Sequence, residues 1–226
     1  MDGNGRWANA RGLPRHLGHK AGCDRVTDIY EECLAQNIKV MSLYAFSTEN
    51  WNRPKAEIAH LFDYLKEFFD REIDRMEKDG SKIIASGDIT KLPRKTYKTV
   101  LEAIERTKNN KNFTFNICLN YGGRAEIVRA AKMFAEDVKN NKRKVSSLNE
   151  GNFNDYLYTN GLPPVDLLIR TSGEQRTSNY LPYQLVYAEM SFPKTPWPDF
   201  TKEEFRKCID EFNNRDRRFG EIHEKE

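Results

Sequence analysis

The chain has 226 residues, of which 38% are hydrophobic and 31% charged, and its mean hydropathy is -0.80. Lys and Arg number 37 against 34 Asp and Glu, which argues against a general nucleic-acid binder with a broad basic face and predicts that any anion site is local. No run approaches the roughly 18 apolar residues of a membrane span, and the length favours one domain over residues 1–226.

Short apolar runs alternate along the chain with longer amphipathic stretches. Strands are predicted at VMSLYAF (40–46), KIIAS (82–86), FTFNICLNY (113–121), VDLLIRT (165–171) and LVYAEMSF (185–192). Helices are predicted at 20–36, 55–78, 94–109, 124–139 and 202–213, and KNNKRKVSSLNEGNFN (139–154) is predicted to be a surface loop. The alternation indicates an α/β fold with a mainly parallel central sheet flanked by helices.

The cysteines indicate a reducing compartment. Cys23, Cys33, Cys118 and Cys208 form no C-x-x-C pair and have no histidine at zinc-ligand spacing. The polar, glycine-rich N-terminus also lacks the pattern of a signal peptide. We therefore expect free, buried thiols in a cytoplasmic protein.

Polar motifs follow most of the predicted strands. These motifs are STENWNRP (47–54), SGD (86–88), YGGR (121–124) and RTSGEQRTSN (170–179). Open α/β sheets bind their ligands at the carboxyl ends of the strands. The sequence therefore predicts that these separate segments meet at one edge of the sheet.

Two stretches of the sequence are rich in cations: the last of these motifs and the N-terminal segment. Arg170 and Arg176 flank serines and a glycine, a combination typical of a phosphate site, although two surface salt bridges would explain it equally well. The opening MDGNGRWANARGLPRHLGHKAG adds Arg6, Arg15 and His19 around one acid, Asp2. A lone carboxylate among cations is either a salt-bridge partner or a ligand of Mg²⁺ bound to a diphosphate.

Four features leave alternatives open. Trp51 could be core or could cover an apolar ligand, and the amphipathic helix at 55–78 could be core or the wall of a tunnel for a hydrocarbon chain. YGGR could be a glycine C-cap or an anion nest. The C-terminal NNRDRRFGEIHEKE (213–226) could be a solvated helix end or a subunit contact.

Seven motifs together resemble the cis-prenyltransferase family, in the form of bacterial undecaprenyl diphosphate synthases. They are MDGNGRWA, GHKAG, LYAFSTENWNRP, NYGGR, VDLLIRTSGEQRTSN, WPDF and RDRRFG, and they span nearly the whole chain. The resemblance implies an Mg²⁺-dependent enzyme that adds isopentenyl diphosphate units in cis to an allylic diphosphate, usually farnesyl diphosphate. It further implies a hydrophobic product tunnel, a homodimer, and an undecaprenyl product that serves as the peptidoglycan lipid carrier, so that contact with the membrane surface would be transient.

The resemblance also implies roles for individual residues. Asp2 and Glu189 would be the metal ligands, and Asp2 with Asn50 the catalytic pair, although a neutral amide is a poor base and we expect Asn50 to orient substrate instead. The allylic diphosphate would lie among Gly3, Asn4, Gly5, Arg6, Trp7, Arg15 and His19. Ser47, Thr48, Glu49, Asn50, Trp51 and Arg53 would shape the region where the substrates meet, and Arg170, Arg176, Thr177 and Ser178 would bind isopentenyl diphosphate.

One departure from the family pattern concerns the start of the chain. Family members have a β-strand before the segment that matches MDGNG, whereas this sequence starts at Met1. We therefore expect a fold without that N-terminal strand and a weakly anchored Asp2, because termini fray.

Two other functions compete with this one. The alternative is a non-catalytic partner subunit of a heteromeric prenyltransferase, which the joint presence of Asp2, Arg6, Arg170, Arg176 and Glu189 argues against. A phosphatase is a weaker rival, because no serine or cysteine nucleophile with an adjacent base is evident.

Overall fold

The computed structural model describes residues 1–217. Within that range the helices are α1 (Asn4–Asn9), α2 (Arg15–Ala35), α3 (Lys55–Lys78), α4 (Arg94–Thr107), α5 (Gly123–Lys139), α6 (Glu150–Phe153) and α7 (Lys202–Asn213). The strands are β1 (Val40–Ser47), β2 (Ser81–Ser86), β3 (Phe113–Tyr121), β4 (Leu167–Ile169) and β5 (Glu189–Ser191). The predicted parallel sheet flanked by helices is confirmed.

The strands form two parallel sheets. The larger has the order β1-β3-β2, and the smaller pairs β4 with β5. The two short strands are the main correction to the predicted lengths. LVYA, at the start of the last predicted strand, forms turns instead, with Leu185 buried and with Val186 and Tyr187 about 70% exposed. This run of apolar residues therefore forms a turn rather than a strand, because only part of the run faces the core.

The core lies between the larger sheet and the long helices. Phe113, Phe115 and Ile117 of the central strand are almost completely buried, as are Phe68 and Phe69 of α3. A polar ladder crosses the middle of the sheet, where Asn116 donates to Ser42 Oγ (3.0 Å) and accepts from Ser86 Oγ (2.9 Å). Because a one-residue slip of any strand would leave these buried groups unpaired, the ladder fixes the register of all three strands.

The N-terminal helices differ from the prediction. The one-and-a-half-turn helix α1 was not anticipated, and α2 begins at Arg15 rather than at residue 20. Glycines within α2 weaken the helical pattern in the sequence, but they allow α1 to pack closely. A Cβ atom on Gly18 would lie 2.0 Å from the carbonyl oxygen of Asn4. The contact between α1 and α2 therefore requires glycine at this position.

Two peripheral segments complete the description. Residues 139–154 are largely exposed, as predicted for a surface loop, and include the single-turn helix α6 and its N-cap Asn149. In the C-terminal segment, Arg215 bonds to Glu189 (2.7 Å) and Arg217 to Asp166 (3.1 Å), while residues 218–226 lie outside the described residues. None of the helices in residues 1–217 is long and apolar enough to cross a membrane. All four cysteines are free thiols; Cys33, Cys118 and Cys208 are buried as expected, whereas Cys23 is only half-buried.

Candidate active site

Asp2 is held firmly at the carboxyl end of β4, contrary to the expectation of weak anchoring. Its backbone N–H donates to Thr171 Oγ1 (3.0 Å), and its carbonyl oxygen accepts from the Thr171 hydroxyl (2.9 Å). The same carbonyl accepts from the N–H of Trp197 (2.9 Å). These contacts join the N-terminal segment to two distant parts of the chain.

The Asp2 carboxylate is surrounded by donors. Oδ1 accepts from the Gly3 N–H (2.7 Å) and from Arg6 (3.3 Å), and Oδ2 accepts from Arg170 (2.9 Å). Partial burial works against ionisation, but the hydrogen bonds from Arg170 and Gly3 outweigh it and hold the pKa of Asp2 below its usual value. Asp2 is therefore an anion at neutral pH.

Gly3 allows the N-terminal turn to approach the loop after β4. Its φ of 98° lies in the left-handed region, and an added Cβ would be 2.7 Å from Ser172 Oγ and 3.0 Å from Pro196 Cβ. Both the backbone conformation and the space therefore require glycine.

The loop after β4 is tightly constrained around Arg170. The Arg170 guanidinium donates to Ser178 Oγ (2.8 Å) and to the Arg176 carbonyl as well as to Asp2. Ser172, Ser178 and Asn179 all have positive φ values (74°, 49° and 66°). Such strain in non-glycine residues clusters at binding sites, because the surroundings must impose it.

Glu174 connects this loop to the N-terminal segment. Its carboxylate is 2.8 Å from Arg6 and also pairs with Arg176. The structure thus brings Asp2, Arg6, Arg170 and Arg176 together, as predicted for an anion site. Thr177 and Ser178 lie in the same loop.

A second group of cations lies between α2 and α3. Arg15 and His19 of α2 and Arg53, just before α3, all contact Glu57 in the first turn of α3. The distances to the carboxylate oxygens are 3.8 Å from Arg15 Nε, 3.3 Å from His19 Nε2 and 3.1 Å from Arg53 Nη1. Burial and the nearby Arg53 lower the pKa of His19, against the opposing effect of Glu57.

The lowered pKa of His19 makes stability depend on pH. An unfolded histidine titrates near pH 6.5, so below that pH the unfolded chain binds a proton that folded His19 resists. The resulting stability is present above pH 6.5 and is lost as the pH falls. We expect the melting temperature of His19→Gln to decline less steeply between pH 7 and pH 5 than that of the wild type. Equal slopes in thermal melts across this range would contradict the assignment.

The segment after β1 forms a 3-10 turn at Thr48–Asn52. Asn50 Oδ1 accepts from the Ser47 N–H (3.0 Å), and Glu49 accepts from Asn179 (2.8 Å), which ties this turn to the loop after β4. Trp51 donates to Asn120 (2.7 Å), packs edge-on against Phe46 and remains 39% exposed. The Trp51 side chain is therefore partly packed against the core and partly exposed to solvent.

An apolar cavity of about 140 Å³ opens beside these polar groups. Asn4, His19, Asn50 and Arg53 line its polar side. The apolar lining comes from α2, α3, β1 and β3 and includes Val26, Leu43, Phe46, Leu61, Phe62, Leu65, Phe68, Phe115, Ile117 and Leu119. Part of the amphipathic helix at 55–78 is thus cavity wall, whereas its Phe69, Ile73 and Met76 belong to the core.

Neither interpretation of YGGR, a glycine C-cap or an anion nest, matches the structure. Gly122 and Gly123 begin α5 rather than end a helix, and the first N–H groups are already bonded within the protein. The Gly123 N–H donates to the Asn179 carbonyl and the Arg124 N–H to Asn179 Oδ1, both at 2.8 Å. Asn179 therefore caps α5 and leaves no open anion nest there.

The Mg²⁺ ligands implied by the resemblance are not in contact with each other. Glu189 pairs with Arg215 and stands in register with Leu167, at the start of β4, whereas Asp2 contacts residues that follow this strand. Residues 1–217 contain no cluster of three or more His, Cys, Asp or Glu side chains able to hold a metal. Asp2 nevertheless fits Mg²⁺, which proteins commonly bind through one carboxylate plus substrate phosphate oxygens.

Sequence reasoning did not select three residues that organise the site. Thr171 ends a predicted strand, Glu57 lies in a predicted helix and Glu174 lies inside the arginine-rich motif. None of these positions by itself indicates a role in an anion site. The only signal for the two glutamates is their proximity in sequence to Arg53 and Arg176, which is too common a pattern to be specific.

Comparisons with known proteins agree on one family. Residues 1–220 match a family model described as "Putative undecaprenyl diphosphate synthase". The chain is 49% identical to an isoprenyl transferase of Clostridium perfringens over 98% of its own length and 88% of that protein. It is 45% identical to an isoprenyl transferase of Streptococcus mutans, again over 98% of this chain and over 91% of the relative.

Solved structures show the same relationship. Lavandulyl diphosphate synthase from Lavandula x intermedia, in complex with dimethylallyl diphosphate, has a TM-score of 0.95 at 31% identity, with 98% of this chain and 95% of that one covered. A probable undecaprenyl diphosphate synthase from Campylobacter jejuni has a TM-score of 0.77 at 37% identity, with coverage of 89% and 92%. The chain belongs to the undecaprenyl diphosphate synthase family of cis-prenyltransferases.

Proposed function

We propose that the protein elongates farnesyl diphosphate with isopentenyl diphosphate in cis and releases a long-chain polyprenyl diphosphate. The observation that carries this proposal is the composition of the cavity lining: Arg53, His19, Asn4 and Asn50 line the same cavity as a larger number of apolar side chains. A diphosphate bearing a hydrocarbon chain needs both environments side by side. The product would be undecaprenyl diphosphate, the precursor of the lipid carrier in cell-wall synthesis.

The two cation groups correspond to two diphosphates. Arg15 and His19, together with the turn at residues 3–6, would bind the allylic diphosphate. Arg170 and Arg176, with Thr177 and Ser178, would bind isopentenyl diphosphate. Guanidinium groups suit this task because their paired N–H donors match phosphate oxygens.

Asp2 is the candidate ligand for a metal ion in this site. It contacts Arg6, which is assigned here to the allylic diphosphate, and Arg170, which is assigned to isopentenyl diphosphate. Asp2 would hold Mg²⁺, with Glu189 as second ligand only if that side chain leaves Arg215. When bound, Mg²⁺ offsets the negative charge of the diphosphate oxygens.

The protein's own residues would supply most of the remaining catalysis. As the allylic C–O bond breaks, negative charge grows on the departing diphosphate, and Arg6 and Arg15 would stabilise it. The isopentenyl double bond then forms the new C–C bond, and a proton is lost to a diphosphate oxygen. Asn50 would orient the substrate, since its amide is not basic enough to take this proton.

The defining experiment is a product analysis. The purified chain is incubated with Mg²⁺, farnesyl diphosphate and labelled isopentenyl diphosphate, and the lipid products are sized. A ladder that ends in a long polyprenyl diphosphate is the expected result. Absence of incorporation would contradict the proposed activity and favour a non-catalytic partner subunit.

The cavity predicts how product length is limited. An apolar cavity of about 150 Å³ holds a molecule the size of benzene, so the observed space would admit a short hydrocarbon segment and must widen as the chain grows. We expect Val26→Phe, which adds bulk to the α2 wall, to shift the product ladder to shorter chains. Cys118→Ser, a buried change outside the cavity lining, should leave product length unchanged. Identical ladders for Val26→Phe and wild type would contradict the role of the cavity.

The homodimer implied by the family resemblance also belongs to this proposal. The exposed apolar side chains of Val186 and Tyr187, next to β5, support it, because large exposed apolar groups often mark subunit contacts. Light scattering of the purified protein would give the mass directly, and a monomer mass at micromolar concentration would contradict the dimer.

A further inference from the structure

Glu57 occupies a position that the family resemblance leaves without a role. It lies in the first turn of α3, yet its side chain reaches α2 and contacts Arg15 and His19 as well as Arg53. The carboxylate is only 14% exposed, whereas Arg15 is 53% exposed. A single, largely buried carboxylate thus contacts three basic side chains from two segments, α2 and the residues just before α3.

The charges of this cluster do not balance. Arg15 and Arg53 carry one positive charge each, and Glu57 offsets only one of them, so a net positive charge remains even with His19 neutral. The cluster therefore attracts an anion of higher charge than a carboxylate. A diphosphate has several negative charges and more acceptor oxygens than a carboxylate, so it can pair with both arginines and accept a hydrogen bond from His19 at the same time.

We propose that Glu57 is an internal anion that occupies the cations of the allylic diphosphate site in the free protein, and that the incoming diphosphate displaces it. This inference rests on the proposed function, which assigns Arg15 and His19 to that diphosphate. Glu57 is then a positioning residue: it keeps the cations in place before substrate arrives, and it lowers the apparent affinity of the site because its ion pairs must be broken first.

The location of the cluster supports displacement over a purely structural role. His19 and Arg53 line the cavity as well as contacting Glu57. A carboxylate that only stabilised the start of α3 through the helix dipole would not need contacts with side chains that line the cavity. Instead, Glu57 neutralises side chains at the place where the diphosphate and its hydrocarbon chain would meet.

The test compares the binding of inorganic pyrophosphate, with Mg²⁺ present, to wild type and to Glu57→Gln by calorimetry. The amide keeps the shape of the side chain and removes its charge. We expect Glu57→Gln to bind pyrophosphate about five- to tenfold more tightly, as suits partly exposed ion pairs. Glu67→Gln is the matched control, since Glu67 is an exposed residue of the same helix, and it should bind as the wild type does.

Steady-state kinetics distinguish displacement of Glu57 by the diphosphate from a general loss of active enzyme in the variant. Glu57→Gln should lower the KM for farnesyl diphosphate several-fold and leave the KM for isopentenyl diphosphate within about twofold. Unchanged or weaker pyrophosphate binding by Glu57→Gln, with normal binding by wild type, would overturn the inference and leave the proposed function intact. If wild type neither binds pyrophosphate nor incorporates isopentenyl diphosphate, the proposed function fails, and this inference fails with it.

Discussion

An Asp2→Ala variant is expected to lose about a thousandfold or more in turnover while it keeps its fold. The anchoring of residue 2 comes from its backbone, which bonds to Thr171 and Trp197, and alanine retains both contacts. The carboxylate instead faces Arg6 and Arg170 and is the candidate ligand for Mg²⁺. Its loss therefore removes the candidate metal ligand and the acceptor of Arg6 and Arg170, while the backbone contacts that anchor residue 2 remain.

The measurement pairs steady-state turnover with a thermal melt. Asp63→Asn serves as the control, because Asp63 is an exposed acid on α3, and it should retain full activity. A melting temperature for Asp2→Ala within a few degrees of wild type would show that the lost turnover is chemical in origin. Near-normal turnover in Asp2→Ala would exclude the metal role.

An Arg170→Lys variant is expected to lose about a hundredfold in kcat/KM, most of it through a higher KM for isopentenyl diphosphate. The Arg170 guanidinium spans Asp2, Ser178 and the Arg176 carbonyl at once. A lysine ammonium retains the charge but is a single point that cannot make these contacts together. The loop would then be free to leave its strained backbone conformation.

Arg94→Lys is the matched control for this change. Arg94 is an exposed residue at the start of α4, and its replacement should leave both KM values unchanged. A kcat/KM for Arg170→Lys within threefold of wild type would show that charge alone suffices at this position. The proposed division of the site into two diphosphate positions would then need revision.

Both variants test the feature that dominates the site, namely the pairing of every candidate cation with an internal carboxylate. Asp2 pairs with Arg6 and Arg170, Glu174 with Arg6 and Arg176, and Glu57 with the remaining cluster. Carboxylates satisfy these cations in the free protein, where unpaired guanidinium groups in close proximity would repel one another. Binding of two diphosphates would exchange these internal pairs for stronger external ones.

The fold class was predictable from the sequence, and so were several element boundaries. Strand β3 and helices α3 and α5 lie within a residue or two of their predicted bounds, because long periodic patterns report burial directly. The motifs after β1 and β4 meet through the Glu49–Asn179 hydrogen bond (2.8 Å), although the two strands belong to different sheets. The types of residue, arginines with glycine and serine, already indicated an anion.

Tertiary structure alone decided which charges face each other. Arg53 and Glu57 are four residues apart, but no spacing in the sequence predicts that Arg15 of α2 converges on the same carboxylate. The same is true of Asp2, whose anchoring depends on Thr171, 169 residues away. Local patterns encode which face of an element is buried, whereas ion pairing depends on how whole elements pack, and that is why the roles of Glu57 and Glu174 are evident only in the folded protein.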